Sequence, residues 1–277
     1  MEELTVGFST CPNDTFMFQA MIHGGVDQKG YSFHPILKDI FHLNQMAMKE
    51  ELDIIKVSYN TFGHLTEKYQ LLDSGSALGH NCGPLLISRD PLSIEEIIEQ
   101  DLPIGIPGKN TTANLLLGYY APQLQNRKEY IFHEIMPAIT NREVAAGVII
   151  HENRFTYQDH GLRLIQDLGE YWEGKTQLPI PLGAILARKS LGEETISQIS
   201  SLLRDSIQFA FDHPTKVMDY VSMHAQEMDE EVMKSHIDLY VNEYSLSLGE
   251  KGRDAIHELI KTGIEMDLYP YKEVPKF

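Results

Sequence analysis

The amino-acid sequence predicts an α/β protein of two lobes, and three observations lead to this expectation. Strand-like and helix-like segments alternate through roughly the first 190 residues, which is typical of βαβ units with a parallel sheet. The chain has 277 residues, enough for about two domains. From Ser190 onward the pattern becomes helical. We therefore expect a larger, discontinuous lobe of residues 1–90 and 190–277 and a smaller lobe of residues 91–189.

The first lobe opens with strands that alternate with helices. A strand over residues 4–9 precedes a helix, for which Asn13, Asp14 or Thr15 is the expected N-cap. Glycines 24 and 25 are expected to end this helix. Next come a strand over 31–39, a helix over 42–51, and strands over 52–59 and 83–89.

The second lobe repeats the alternation. We expect strands over 102–108, 129–135 and 146–150, and helices over 110–121 and 136–145. The apolar run 178–191 has the pattern of a strand that returns to the first lobe. Ser190 and Glu193 then have capping-box spacing. The helix that follows has one apolar face, formed by Ile196, Ile199, Leu202, Leu203 and Ala210. Residues 214–277 have the pattern of helices that complete the first lobe.

The net charge of the protein restricts the kinds of molecule that it is expected to bind. The chain has 40 Asp and Glu against 23 Lys and Arg, so its formal net charge is −17. Such a surface repels nucleic-acid phosphates and anionic lipids, and no apolar run approaches the roughly 18 residues of a membrane span. The N-terminus has no secretion-signal pattern, and two cysteines make no disulfide framework. We therefore expect a cytoplasmic protein that binds a small molecule and has no nucleic-acid or membrane partner, with the oligomeric state left open.

Polar loops follow four of the predicted strands, at residues 9–15, 56–61, 107–113 and 151–155. In parallel α/β folds the carboxyl ends of the strands border the ligand crevice, so we expect each loop to face a cleft between the lobes. Asn110, Thr111 and Thr112 at a helix N-terminus indicate either an anion site or a plain N-cap. Ser58 is interpreted as a hydrogen-bonding residue of the cleft or as a helix cap.

The sequence gives no indication of a metal centre. Cys11, at the first strand-to-helix turn, is expected to be a buried structural thiol rather than a reactive one. His80 and Cys82 have no second pair of ligands to match them, so they do not form a zinc motif. We therefore predict that the protein binds no metal.

His151 is the strongest candidate for a chemical role. It directly follows the apolar run that ends at Ile150, and imidazole is the side chain best suited to accept a proton near neutral pH. Glu152, Asn153 or Arg154 would orient it or bind a substrate carboxylate. The alternative is a histidine that is simply hydrogen-bonded at the end of a strand.

Six segments taken together resemble the 1,4-dihydroxy-6-naphthoate synthase family. They are GFSTCPNDTFMF, KVSYNTFGHL, SGSALGHNCGPLLISR, PGKNTTANLLL, VIIHENRFTY and LPIPLGAILARKSL. They occur in the family's order between residue 5 and about residue 250, and their combination is specific although each is weak alone. Members of this family act on cyclic dehypoxanthine futalosine in the futalosine route to menaquinone.

The resemblance implies a fold, an activity and a set of site residues. The fold is that of type II periplasmic binding proteins, with a ligand cleft between two lobes. The activity is that of a carbon–carbon lyase that requires no cofactor. His151 would be the proton acceptor, and the substrate would be bound by Lys56, Val57, Ser58, Thr111 and Thr112. From their own positions in the polar loops, and not from the resemblance, Asn13, Asn110, Glu152 and Arg154 are expected to have supporting roles.

Three other functions are compatible with this fold. The first is a non-catalytic binding protein for small anions, because a fold does not determine a function. The second is a chorismate dehydratase of the same pathway, and the Ile-Ile-His-Glu run favours the synthase over it. The third is the ligand-sensing domain of a regulator, although no helix-turn-helix or basic segment is attached.

Overall fold

The structure is a computed structural model, and it describes residues 2–225 and 229–277. The chain divides into two compact units. The first unit runs to Gly79 and resumes at Pro181, and the second unit comprises His80–Ile180.

The secondary structure alternates for most of the chain and then becomes helical. The strands are β1 (Glu2–Phe8), β2 (Tyr31–Leu37), β3 (Ile54–Ser58), β4 (Tyr69–Leu71), β5 (Ala77–Gly79), β6 (Leu85–Ser88), β7 (Ile104–Ile106), β8 (Arg127–Glu129), β9 (Ala146–Ile149), β10 (Arg163–Asp167) and β11 (Ile180–Arg188). The helices are α1 (Pro12–His23), α2 (Ile40–Met48), α3 (Tyr59–Leu65), α4 (Ile94–Glu99), α5 (Thr112–Tyr120), α6 (Ile135–Thr140), α7 (Asn153–Thr156), α8 (Leu168–Thr176), α9 (Glu193–Asp212), α10 (Pro214–His224), α11 (Glu230–Tyr240), α12 (Glu243–Leu246) and α13 (Gly249–Glu265). Short 3-10 turns cover Phe132–Glu134 and Lys189–Leu191.

The first unit contains a mixed sheet with the strand order β2-β1-β3-β11-β4, and β5 pairs with β11. Strand β1 is parallel to β2 and to β3, as predicted for βαβ units. Strand β11 is antiparallel to both β3 and β4, so the expectation of a parallel sheet is wrong there. Alternation of strands and helices predicts that two neighbouring strands are parallel only where a crossover helix joins them. No single crossover helix joins β3 to β11.

The second unit contains a mixed sheet with the strand order β10-β6-β9-β7-β8. Strand β7 is parallel to β8 and β9, whereas β6 is antiparallel to β9 and β10. Because β6 pairs only with strands of this sheet, residues 80–90 belong to the second unit. Because β11 pairs with β3, residues 181–189 belong to the first. The expected division at residues 90 and 190 therefore lies about ten residues later than the observed one.

Helices fill the remainder of the first unit, as the sequence pattern predicts. All five apolar residues of the α9 face are buried in a cluster that also takes in residues of α1, α10 and α11. Burial of such a face is the main source of stability for an amphipathic helix. Among residues 2–225 and 229–277, no helix combines the length and the apolar character that crossing a membrane requires.

Three local predictions are wrong. The N-cap of α1 is Cys11, with Pro12 in the first turn, because the fixed φ of proline suits that position. The N-cap of α9 is Gly192, since Ser190 lies in the 3-10 turn before it and makes no capping box. The expected strand over 129–135 ends at Glu129, after which the chain enters the 3-10 turn.

Candidate active site

The carboxyl ends of β7 and β9 lie at the same edge of the second sheet. The two strands are parallel and in register, with Ile104 opposite Ala146 and Gly105 opposite Gly147. The loop 107–111, which leads into α5, and the residues from His151 onward both leave the sheet at this edge. Two of the four polar loops identified in the sequence are thereby brought to one side of one sheet, as expected for parallel strands.

His151 adopts a left-handed backbone conformation with a φ of 58°. This region is unfavourable for residues with a side chain, although histidine and asparagine enter it more readily than most. The ring of His151 lies 4.8 Å from the ring of Phe132, and its carbonyl accepts a 3.3 Å hydrogen bond from the Arg154 N–H. The side chain is partly exposed. Eight non-glycine residues in the described part of the chain have a positive φ, and His151 is one of them. Its distinguishing feature is its place at the carboxyl edge of the second sheet.

The three residues that follow His151 differ in their surroundings and contacts. Glu152 is buried, and Asn153 opens α7 with its amide 3.4 Å from the carbonyl of Phe132. The guanidinium of Arg154 donates to the carbonyl of Gly83 and, at 3.0 Å, to the carboxylate of Asp167. This ion pair is mostly buried and joins α7 to the end of β10. Arg154 therefore has a structural role, in which it joins α7 to Gly83 and Asp167.

Gly83 packs directly against the start of α8. A Cβ added to Gly83 would lie 2.3 Å from the Cα of Gly169, and a Cβ on Gly169 would lie 2.6 Å from the Cα of Gly83. Both distances are far shorter than a carbon–carbon contact allows. The carbonyl of Gly83 accepts the hydrogen bond from Arg154. The two glycines and the arginine therefore form one connected set of contacts.

Thr111 is the N-cap of α5. Its hydroxyl donates to the carbonyl of Gly108 at 2.7 Å and accepts from the N–H of Asn114 at 3.2 Å. This is the capping role that the sequence left open as an alternative to an anion site. Thr112 begins the helix and is buried, and Asn110 is half-buried in the preceding turn. The N–H groups of the first turn of α5 face the same edge of the sheet and carry a partial positive charge.

In the first unit, Lys56 and Asp14 form a buried ion pair. Their exposed fractions are 5% and 1%, and the ammonium group of Lys56 donates to Oδ1 of Asp14. Oδ2 of Asp14 accepts from the hydroxyl of Ser9 at 2.6 Å and from its N–H at 3.1 Å. The carboxylate is thus satisfied from several sides, which is what a buried charge requires.

A second buried chain of hydrogen bonds ends on the same carboxylate. The amide nitrogen of Asn13 donates to Oδ1 of Asp14 at 3.0 Å, so the amide oxygen of Asn13 faces the other way. There it lies 2.9 Å from Nε2 of His236, whose side chain is fully buried on α11. Because that oxygen can only accept, the proton of the imidazole must lie on Nε2. Asn13 therefore links α11 to the ion pair.

Ser58 is held by Asn44 of α2. The amide of Asn44 donates to the hydroxyl of Ser58 at 3.0 Å, and the N–H of Ser58 donates to the amide oxygen at 2.9 Å. Ser58 is the N-cap residue of α3, but its side chain makes no capping bond. Val57 is buried, and its backbone pairs with Ala184 of β11. The strand end 56–58 thus bonds with residues of three other elements.

Three residues of these networks were not predicted as site residues from the sequence: Asp14, Asn44 and His236. Asp14 was considered only as an N-cap, although its place after a strand made it a candidate for the strand edge. Asn44 and His236 lie inside amphipathic helices, and nothing in the local pattern marks them. Each is buried, and Asn44 bonds to Ser58 at the end of β3 while His236 bonds to Asn13 in the first turn of α1, contacts that only the three-dimensional structure reveals.

Residues 80–82 belong to a structural contact. Nδ1 of His80 lies 2.6 Å from a carboxylate oxygen of Glu173, and the N–H of Asn81 donates to the other oxygen at 2.8 Å. Burial raises the pKa of the Cys82 thiol to about 12. At neutral pH this thiol is protonated, which makes it a poor nucleophile.

Comparison with known proteins identifies the family. The family described as "Menaquinone biosynthesis" matches residues 4–265. A Thermus thermophilus protein named 1,4-dihydroxy-6-naphthoate synthase is 43% identical over 259 residues, which cover 94% of this chain and 93% of the relative. The chain belongs to this menaquinone-biosynthesis family. The resemblance noted in the sequence is thereby confirmed.

Solved structures confirm the expected fold class of this family member. A protein of Archaeoglobus fulgidus superposes with a TM-score of 0.90 at 31% identity, covering 96% of this chain and 98% of that one. A Candida albicans protein described as having the generic periplasmic binding protein fold superposes with a TM-score of 0.66 at 11% identity, covering 100% and 99%. At that identity the likeness concerns the fold alone. The chain is an α/β protein of two units with a periplasmic-binding-protein fold.

Proposed function

We propose that the protein is a lyase that converts cyclic dehypoxanthine futalosine into 1,4-dihydroxy-6-naphthoate. The observation that carries the proposal is His151, a partly exposed imidazole on a strained backbone at the carboxyl edge of the second sheet. Membership of the menaquinone-biosynthesis family supports the substrate class.

His151 would act as the general base. The neutral imidazole removes a carbon-bound proton that a neighbouring carbonyl makes acidic, and the electron pair of that C–H bond flows into the carbonyl system. The ring then opens, the bond to a three-carbon sugar fragment breaks, and the fragment leaves with a proton returned by the imidazolium. Proton removal, bond cleavage and proton return leave the overall oxidation state unchanged, so the sequence needs neither an oxidant nor a reductant. Formation of the aromatic naphthoate makes it downhill.

The other residues would bind the substrate rather than react with it. Thr112 and the N–H groups at the start of α5 would bind the carboxylate by charge-assisted hydrogen bonds. Thr111, whose hydroxyl donates to the carbonyl of Gly108, would contribute by holding that turn in place. Ser58 and the backbone of Lys56 and Val57 would bind hydroxyl groups. The ammonium group of Lys56 is paired with Asp14, so its proposed contribution is made through the backbone of its strand.

The proposal is tested by incubating the purified protein with cyclic dehypoxanthine futalosine and following the naphthoate by mass spectrometry. Appearance of the naphthoate, together with one three-carbon fragment per turnover, is the expected result. Parallel incubation with chorismate distinguishes a chorismate dehydratase. Tight binding of either compound without any product would identify a binding protein and would overturn the proposed activity.

Replacement of Thr111 separates capping from binding. Thr111→Val removes the hydroxyl that caps α5, so we expect the free energy of unfolding to fall by about 1 kcal/mol, as for other lost caps. We also expect KM to rise, with kcat changed less, because the turn that would bind the substrate carboxylate loses its cap and ground-state binding is weakened. Urea unfolding and steady-state kinetics measure the two effects.

The matched control is Thr111→Ser, which keeps a hydroxyl and is expected to behave like the wild type in both measurements. If Thr111→Val is as stable as the wild type, the capping role is wrong. If only its stability changes and KM does not, Thr111 takes no part in binding the substrate.

A further inference from the structure

The C-terminal segment, residues 266–277, packs on helix α3. It follows α13 and lies beyond residue 265, the last residue that the family match covers. The hydroxyl of Tyr269 donates to the amide oxygen of Asn60 at 2.9 Å, and the hydroxyl of Tyr271 donates to the carbonyl of Gly63 at 2.5 Å. The ring of Phe277 lies 5.6 Å from that of Phe62. Three residues of the segment thus contact α3.

Tyr269 is enclosed between α3 and α13. Its exposed fraction is 4%. A Cβ on Gly63 would lie 2.2 Å from its ring, and a Cβ on Gly263 would lie 2.3 Å from it, so each helix presents a glycine at the point of contact. The ring of His64, a residue of α3, lies 4.9 Å from the ring of Tyr269. Such a fit on both sides shows that the ring is a packed part of the first unit.

Helix α3 needs this support. It has 7 residues, and its N-cap Ser58 makes no side-chain capping bond. A helix of two turns is not stable by itself in water, so its position is determined by tertiary contacts. Asn60, in the first turn of α3, is buried. It accepts a hydrogen bond from Tyr269, which lies 209 residues later in the sequence. Burial raises the pKa of Tyr269, so the hydroxyl keeps its proton and remains a donor at neutral pH.

We propose that Tyr269 is a positioning residue, which acts through Asn60 on the first turn of α3 and thereby fixes Ser58 for substrate binding. The inference rests on the proposed function, in which Ser58 binds a hydroxyl group of the substrate. It assigns the segment beyond the family match a part in the site. Tyr269 itself touches no reacting atom.

Tyr269→Phe is the informative variant, because it removes the hydroxyl and keeps the ring between the two glycines. We expect KM for cyclic dehypoxanthine futalosine to rise about 3- to 10-fold with kcat within about twofold of the wild type, as for the loss of one buried hydrogen bond. We also expect faster amide hydrogen exchange in residues 59–62, measured without substrate.

Tyr31→Phe is the matched control. It removes a similarly buried hydroxyl of the same unit, which donates to Gln198 at 2.7 Å and does not contact α3. We expect this variant to change neither KM nor exchange in residues 59–62. A rise in KM that both variants share would reflect general loosening of the unit and would overturn the positioning role.

Ser58→Ala distinguishes the inference from the proposed function. If Ser58→Ala leaves KM unchanged, the proposed binding role of Ser58 fails, and the exchange measurement still reports whether Tyr269 supports α3. If Ser58→Ala raises KM and Tyr269→Phe does not, the inference alone is overturned. If Tyr269 acts through Ser58, then Tyr269→Phe has no further effect on KM in the Ser58→Ala background.

Discussion

His151→Asn is expected to lower kcat by about 10²-fold or more while the protein still folds and binds the naphthoate product. Loss of a general base typically costs this much in rate. Asparagine is the suitable replacement because it tolerates the left-handed conformation that His151 adopts, so the variant tests the imidazole rather than the backbone. The measurements are single-turnover kinetics and product binding by titration.

Two comparisons make this result specific. His133→Asn removes another imidazole beside Phe132, with ring centroids 5.6 Å apart, and is expected to keep near-normal kcat. His151→Ala is expected to lose the same activity. Near-normal turnover of His151→Asn would remove the proposed base.

Lys56→Met is expected to lower the free energy of unfolding by about 3–5 kcal/mol, the largest effect on stability that we predict. The substitution leaves the Asp14 carboxylate buried beside Ser9 and Asn13 with its cation gone. A buried charge without a counter-ion carries a desolvation cost that hydrogen bonds to neutral groups only partly offset. Equilibrium unfolding in urea measures the change.

Asp14→Asn combined with Lys56→Met is expected to be more stable than Lys56→Met alone, because no unpaired charge remains. Lys261→Met, which removes an exposed partner of Glu258 on α13, should change the stability by no more than about 0.5 kcal/mol. If Lys56→Met were as mild as Lys261→Met, the buried pair would not contribute as we infer.

Much of the fold can be predicted from the sequence because its strands and helices have clear periodicities. The segments 54–57 and 146–149, which contain Ile and Val, form buried strands, and the apolar face of α9 is buried as expected. Polar residues follow both strand ends. The direction of β11 and the partners of β6 could not be predicted, because pairing between distant strands leaves no mark in the local pattern.

The candidate site was predictable only in part. The prominent residues Ser58, Thr111 and His151 stand at ends of strands or at the start of a helix, where position alone suggests a role. Arg154 has the same sequence signal but is bound to Asp167 and Gly83. His236 has no such signal, yet it bonds to Asn13 from a helix more than two hundred residues away.

The meeting of Gly83 with Gly169 has a consequence for protein engineering. The two positions behave as one constraint, because any side chain at either position would push α8 off the segment that precedes β6. Directed-evolution libraries that diversify residues 80–180 should therefore keep both codons fixed. Within residues 80–180, substitutions are better introduced at exposed positions such as Leu164, where the new side chain is in contact with solvent.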